Sequence, residues 1–489
     1  MSKTYAMNRN FTLLALLFAL ILGPAFSQND RGFFYATMEL GSAKSLLAEY
    51  PDEITIVKSS GGQAVVYMSD FASHILHDNI LTHGPGYVFM PTREKALNTL
   101  SATNSLSPKS SFAYSLTEEA LVEQALPMVS AANIEARILN LQAYGTRYHN
   151  RASAEAAVLD LKADLDVLIA DAGRDDISTR IVNHSATPMP SLVVTIPGGD
   201  LADEYVILGG HIDSTAPDRD NAPGADDNAS GIATIMEVFR VLLDMDYQPN
   251  RTVEFMAFAA EEIGLVGSFE IAQDYASSGV DVYSYMQLDM TNYNGSANDV
   301  YLMTDPYISS GLNDFIFALM DTYNASGDHA FTYGTSICNY GCSDHFSWAQ
   351  SGYEVTFPFE ASFSGRNPNI HTPGDVYSVS GTAEHAVKFA KLGLEYILEG
   401  AKSAVLSTNS FGQQQLSISV DNGQLAYNLG QNSEYNSIEI FNVIGQQLQV
   451  QKLNATRGSF NLKSAKSGVY VAIFAADSGK RVAKKFVVN

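Results

Sequence analysis

Cysteine is nearly absent: the chain of 489 residues holds two, Cys338 and Cys342. Two thiolates cannot close an all-sulfur zinc site, which takes four ligands, and one pair cannot build a disulfide framework. Basic residues are also scarce, 29 Lys and Arg against 53 Asp and Glu, for a net charge of −24. A chain so poor in cations is ill suited to neutralising a phosphate backbone, which argues against nucleic acid as a partner. Such acidity favours solubility and the capture of cations. Long apolar runs are missing too. After residues 11–22 no stretch approaches the roughly 20 residues that a membrane span needs, so no transmembrane span is expected in the mature chain.

What is present divides the chain. Hydrophobic residues make up 46% and charged residues 17%, a globular balance, and the length exceeds one compact domain. Lys3 and Arg9 flank the start of the apolar run 11–22, and Ala25-Phe26-Ser27 follows; residues 1–27 therefore read as a signal peptide cut after Ser27. In an exported chain the close pair Cys338 and Cys342 is most simply one disulfide. Residues 28–112 carry short apolar runs such as 64–67 and no cluster of ligand residues, and they end in the polar stretch 101–111. They read either as a pro-segment removed after export or as an accessory domain.

Residues 113–403 alternate helical patterns with short apolar runs. Strands are expected at 192–196, 205–208, 252–258 and 285–288, and helices at 231–243 and 383–398. This is the pattern of an α/β unit, a mostly parallel mixed sheet flanked by helices. Residues 404–415 form a linker rich in Ser, Asn and Gln. Residues 416–489 show short alternating strands between Asn-Gly, Leu-Gly and Ser-Gly turns, which predicts a small all-β sandwich. From Ala404 onward eight Lys and Arg face four Asp and Glu, so this tail carries +4 and the remainder −28, the mark of a separate module.

The polar residues of the α/β unit gather where such sheets bind ligands, beyond the carboxyl ends of strands. One strand runs into Gly209-Gly210-His211-Ile212-Asp213, another into Ala260-Glu261-Glu262, and a third into Asp289; the run 355–359 precedes a loop that delivers His371. Asp227 stands just before a helix. Taken singly, each has an ordinary explanation: a surface histidine, a helix cap, an acidic first turn. Taken together, His211, Asp227, Glu262, Asp289 and His371 offer the nitrogen and carboxylate ligands that zinc takes. They suffice for two ions if one carboxylate bridges. Asp213 is placed to accept the second imidazole N–H of His211.

These segments carry a resemblance. The run from His211 to Gly231, the pair Glu261-Glu262 with Gly264-Leu265-Val266-Gly267-Ser268, the segment Gln287-Leu288-Asp289-Met290-Thr291-Asn292, and Asn369-Ile370-His371-Thr372-Pro373 together resemble the dinuclear zinc leucyl aminopeptidases of bacteria. The wider family includes glutamate carboxypeptidases and glutaminyl cyclases, and the likeness covers roughly residues 115–400. It implies a zinc exopeptidase fold with two zinc ions per chain. Asp227, rather than Asp226, would bridge them; His211 and Glu262 would take outer positions on different ions, and Asp289 and His371 would complete the shells. Glu261 matches the family's general base. Tyr340, between the two cysteines, matches a tyrosine that stabilises the developing oxyanion. Met290, Phe357, Phe359, Phe363 and Ile370 fall where the family lines an apolar pocket, which favours peptides beginning with Leu, Phe or Met. Arg366 departs from the pattern close to that pocket.

Ser343-Asp344-His345 superficially suggests a serine triad, but sequence neighbours rarely converge in space; a capped helix start is expected instead. The tail resembles the sorting domain of the bacterial type IX secretion system, through Ile438-Glu439-Ile440-Phe441-Asn442-Val443-Ile444-Gly445, Ser467-Gly468-Val469-Tyr470-Val471 and the closing Lys484-Lys485-Phe486-Val487-Val488. It implies export machinery as a partner and a secreted or cell-surface location. The sequence thus predicts a secreted metallo-aminopeptidase acting on peptides. The rivals are a glutaminyl cyclase or carboxypeptidase of the same family and an inactive, metal-free scaffold.

Overall fold

The computed structural model describes residues 32–79, 83–102 and 113–404 and most of 417–488. The signal peptide expected at 1–27, most of the polar stretch before residue 113 and the linker from 405 lie outside the described residues. Of that stretch, residues 101 and 102 close the helix Arg93–Ala102.

The centre is a six-stranded sheet in the order Val355–Thr356, Asp281–Gln287, Leu201–His211, Arg251–Phe258, Ser191–Ile196, Ser178–Val182. The first four strands are mutually parallel; the last two pair antiparallel. Arg251–Phe258 is buried at every position but the first, as a strand covered on both faces must be. Its pleat sends Val253, Phe255 and Ala257 to one face, against Phe239 of the helix Ala229–Asp244 and Phe389 and Leu398 of the helix Glu384–Ala401. Met256 and Phe258 point to the other face, against Ile271 of the helix Val266–Ser278 and Trp348 of the helix His345–Gln350.

The apolar run 355–359 does not make one strand. Val355–Thr356 closes the central sheet, while Pro358–Phe359 joins a second, three-stranded sheet with Val300–Met303 and Tyr333–Ser336. Pro358 has no N–H with which to continue the ladder, so the chain changes sheets at Phe357.

Residues 33–90 form a β-α-β-β-α-β unit. Its sheet runs in the order Ile54–Ser60, Gln63–Ser69, Phe33–Glu39, Tyr87–Met90, antiparallel throughout. One face holds its own core, including Met38, Leu46, Val66 and Leu76. Val65, Val88, Met90 and Leu100 pack instead against Leu265 and Phe269 of the central unit. The C-terminal unit is all-β, with a three-stranded and a four-stranded antiparallel sheet. A single apolar cluster of Leu425, Ile438, Ile440, Phe474 and Phe486 draws on both sheets. Among the described residues no helix is long and apolar enough to cross a membrane.

Candidate active site

The parallel strands deliver their polar residues to one rim. His211 ends the strand Leu201–His211, Asp289 lies two residues past Asp281–Gln287, and Glu261 and Glu262 sit in the short turn Glu261–Ile263 after Arg251–Phe258. Asp227 stands before the helix Ala229–Asp244. The strand ends approach closely because Gly210 has no side chain: a Cβ there would lie 2.3 Å from the Leu288 carbonyl oxygen. Ala260, Met290 and His371 adopt φ of 56°, 58° and 56°. Left-handed backbone at such residues is costly and is kept where it aims a side chain.

His211 Nε2 lies 3.1 Å from Asp227 Oδ1 and 3.3 Å from Asp289 Oδ1. His371 Nε2 lies 3.1 Å from Asp227 Oδ2 and 3.2 Å from Glu262 Oε2. Asp227 thus offers one oxygen to the pair His211 and Asp289, and the other to the pair His371 and Glu262. All five residues named from the sequence meet there, and Asp226 turns away, accepting hydrogen bonds from Asn292 N at 3.2 Å and Asn367 Nδ2 at 3.0 Å. Asp213 Oδ1 lies 3.4 Å from His211 Nδ1, and the same carboxylate accepts the backbone N–H groups of Glu261 and Glu262 at 3.0 and 3.2 Å. It therefore orients one imidazole and fixes the turn that carries both glutamates.

The electrostatics are those of a site built for cations. Burial would lower the pKa of His211, but the surrounding Asp289, Asp213 and Asp227 raise it well above the usual imidazole value. Burial likewise opposes charge on Asp227, yet His211 and His371 hold its pKa well below the carboxylate range. Glu261 shifts the opposite way, pushed up by burial and by Glu262, Asp344 and Asp289 against the pull of His211. Among the described residues neither carboxylate oxygen of Glu261, both of them buried, has a hydrogen-bond partner, and the side chain faces the cluster. A buried, unpartnered carboxylate beside three others is unfavourable unless positive charge lies between them. Nitrogen and carboxylate donors within 4.8 Å of one another, in groups that include Asp227, Glu262 and His371, fit zinc.

The residues expected to line an apolar pocket also converge. Met290, Phe357, Phe359 and Ile370 are buried in one cluster, with Phe363 and Tyr340 packed against it. Cys338 and Cys342 form the expected disulfide across Tyr340. Arg366 stacks on Phe363, its guanidinium carbon 4.7 Å from the ring centre.

Helix capping at Ser343-Asp344-His345 is realised only in part. Asp344 occupies the cap position of His345–Gln350, but its side chain makes no capping bond. Ser343 Oγ instead donates to Asp289 Oδ2 at 2.6 Å. No triad forms, since His345 faces the Tyr307 hydroxyl at 3.3 Å.

Other supports were not legible in the sequence. Asn228 accepts from Gly231 N and Met290 N at 2.9 and 3.1 Å and donates to the carbonyls of His211 and Leu288, tying three loops of the site together. Asp375 accepts from Asp227 N at 3.0 Å. Arg147, fully buried, donates to the backbone carbonyls of Leu141, Ile212, Pro223 and Gly224. The N-terminal unit, which shows no cluster of ligand residues of its own in the sequence, brings a single histidine to the rim: His83 Nε2 lies 3.2 Å from Asp289 Oδ2. No local pattern marks a lone histidine in a distant unit, and only the packing of the two units brings it there.

Comparison with known proteins gives the family. Residues 191–394 match peptidase family M28, and residues 413–489 match the secretion system C-terminal sorting domain. Leucine aminopeptidase 1 of Coccidioides posadasii is 32% identical over 289 residues, covering 56% of this chain and 72% of that protein. LapB from Legionella pneumophila superposes with a TM-score of 0.66 at 27% identity, covering 76% of this chain and 100% of that one. The LapA aminopeptidase of the same organism gives 0.64 at 26% identity, over 76% and 99% of the two chains. The chain belongs to peptidase family M28: it is a zinc-dependent aminopeptidase that ends in a type IX secretion sorting domain and is secreted or held at the cell surface.

Proposed function

We propose that the enzyme removes large apolar residues, leucine-like, from peptide N-termini, with two zinc ions per chain and Glu261 as general base. The observation that carries the reading is the two-sided carboxylate of Asp227, each oxygen 3.1 Å from its own histidine, which in turn lies 3.2 to 3.3 Å from a second carboxylate. His211 and Asp289 would hold one ion, His371 and Glu262 the other, with Asp227 shared. When bound, a pair of zinc ions acidifies water and polarises the scissile carbonyl.

The chain's own residues do the rest. Glu261 takes a proton from the attacking water and passes it to the leaving amine. Tyr340 donates to the oxygen that gains charge in the transition state, and the disulfide between Cys338 and Cys342 stiffens its loop. Asp213 keeps His211 in one tautomer. The pocket of Met290, Phe357, Phe359, Phe363 and Ile370 excludes water and takes an apolar side chain. The names of the relatives, leucine aminopeptidases, agree with that preference.

Glu261→Gln should lower kcat on leucine anilides by roughly 10² to 10⁴ while zinc content stays at two per chain. Near-normal turnover in the zinc-loaded variant would refute the assigned base. One zinc per chain, or faster turnover of glutamine than leucine anilides, would refute the metal count or the substrate class.

A further inference from the structure

The loop His83-Gly84-Pro85-Gly86, just ahead of the strand Tyr87–Met90, lies inside the site. The His83 ring is 1% exposed. It sits among Phe359, Phe357 and Phe363, with ring centres 5.2, 6.3 and 6.3 Å away, in the pocket assigned above to the first residue of a substrate. Its Nδ1 lies 2.9 Å from the Cys342 carbonyl oxygen and its Nε2 3.2 Å from Asp289 Oδ2. The ligand atoms of His83, Asp227 and Asp289 all fall within 4.8 Å of one another. The Tyr340 hydroxyl donates to the His83 carbonyl oxygen. Gly84 follows with φ +71°, so close that a Cβ there would lie 2.5 Å from the Cys342 carbonyl oxygen and 3.0 Å from Glu261 Oε1.

Three elements of the reading given under Proposed function, on which this inference rests, therefore meet a counterpart in this loop: a side chain in the pocket, a carbonyl under Tyr340, and the next residue beside Glu261. We propose that His83-Gly84-Pro85 is an internal pseudo-substrate, through which the N-terminal unit fills the catalytic cleft and keeps the enzyme latent. Two features make it an inhibitor and not a substrate. The nitrogen of His83 is in a peptide bond, so it lacks the free amine on which an aminopeptidase acts. And its imidazole adds a nitrogen ligand to the Asp227 and Asp289 pair, which no leucine side chain would do. The loop is braced from behind. Phe89 N donates to the Gly264 carbonyl at 2.9 Å, and Val88 and Met90 pack on Leu265 and Phe269, directly after the turn that bears Glu261 and Glu262. The plug and the base thus share one support, and the cleft opens when the N-terminal unit leaves.

The test is calorimetric binding of leucine hydroxamate to the intact, zinc-loaded chain, compared with His83→Ala and Gly84→Ala. The first variant empties the pocket and removes the extra ligand; the second pushes the loop out through the crowding at its Cβ. Both should bind hydroxamate at least tenfold more tightly than the unaltered chain. Cobalt-substituted protein should also change its visible spectrum on His83→Ala, as a nitrogen ligand is lost. Unchanged affinity in both variants, with an unchanged cobalt spectrum, would overturn the proposal. Because binding needs no turnover, the tenfold gain without hydrolysis of leucine anilides by any of the three proteins would sustain the plug and count against the peptidase reading alone.

Discussion

Much of the site's precision rests on residues that hold the candidate ligands in place. Ser343 is the clearest case. Its hydroxyl donates to Asp289 Oδ2 at 2.6 Å, and both residues are fully buried. Removing it leaves the carboxylate free to turn and takes away the bond that sets its basicity. Loss of such a support typically costs 10- to 100-fold in metal affinity. Ser343→Ala should therefore release one zinc to a competing chelator at roughly tenfold lower chelator concentration, with the fold unchanged by circular dichroism. Equal zinc retention would show that Asp289 is positioned without it. The candidate ligands were readable as a set and not one by one, because histidines and carboxylates gathered at several strand ends have few other uses in combination. Ser343 was not, because a serine ahead of a helix suggests a cap, and its actual partner is 54 residues away.

At the scale of elements, the rim is held by backbone carbonyls gathered on one side chain. The Arg147 guanidinium donates to Ile212, next to His211, and to Pro223 and Gly224, on the loop that carries Asp227. Burial lowers its pKa to about 10, with Asp375, Asp213, Asp227 and Glu262 countering, so it stays charged at neutral pH. Arg147→Met preserves bulk but leaves four buried carbonyls without this donor. Each unsatisfied group costs about 1–3 kcal/mol, so a loss of at least about 3 kcal/mol is expected, read as a lower denaturation midpoint in urea. A midpoint within error of the wild type would mean that water or a shifted loop replaces the guanidinium. Elements were otherwise well anticipated: the strands expected at 192–196, 205–208, 252–258 and 285–288 match those observed to within a few residues. The exception is the run 355–359, where hydropathy is continuous but Pro358 forces the change of sheet.

For the whole molecule, two histidines held neutral, the buried His385 and the half-buried His149, weaken the fold as pH falls. His385 has its pKa lowered to about 4 from 6.5, mainly by burial and partly offset by its contact with the Glu360 carbonyl. His149 is lowered to about 4 as well, by burial and by the nearby His74, Arg151 and Arg219. Between pH 6.5 and 4 the unfolded chain binds protons that the folded chain refuses, so stability rises with pH across that window and falls on acidification. Each imidazole contributes up to about 1.4 kcal/mol per pH unit. Calorimetry between pH 7 and 4.5 should show a falling Tm, with a shallower slope in His385→Gln; parallel slopes would clear His385 of the effect. Above pH 6.5 neither group should matter.

Composition and local pattern determined the α/β class of the central unit, and they placed the five candidate ligand residues at strand ends, where the family resemblance gave them their expected roles. Those properties follow from periodicity and from chemistry concentrated at strand ends, which a linear text retains. Tertiary structure decided what depends on contacts between distant segments. It showed that Asp227 presents its two oxygens to two different histidines, that Ser343, Asn228 and Arg147 brace the rim, and that the unit before residue 113 brings His83 beside Asp289. Proximity of that kind arises when packed surfaces bring remote residues together, and no short-range sequence signal encodes it.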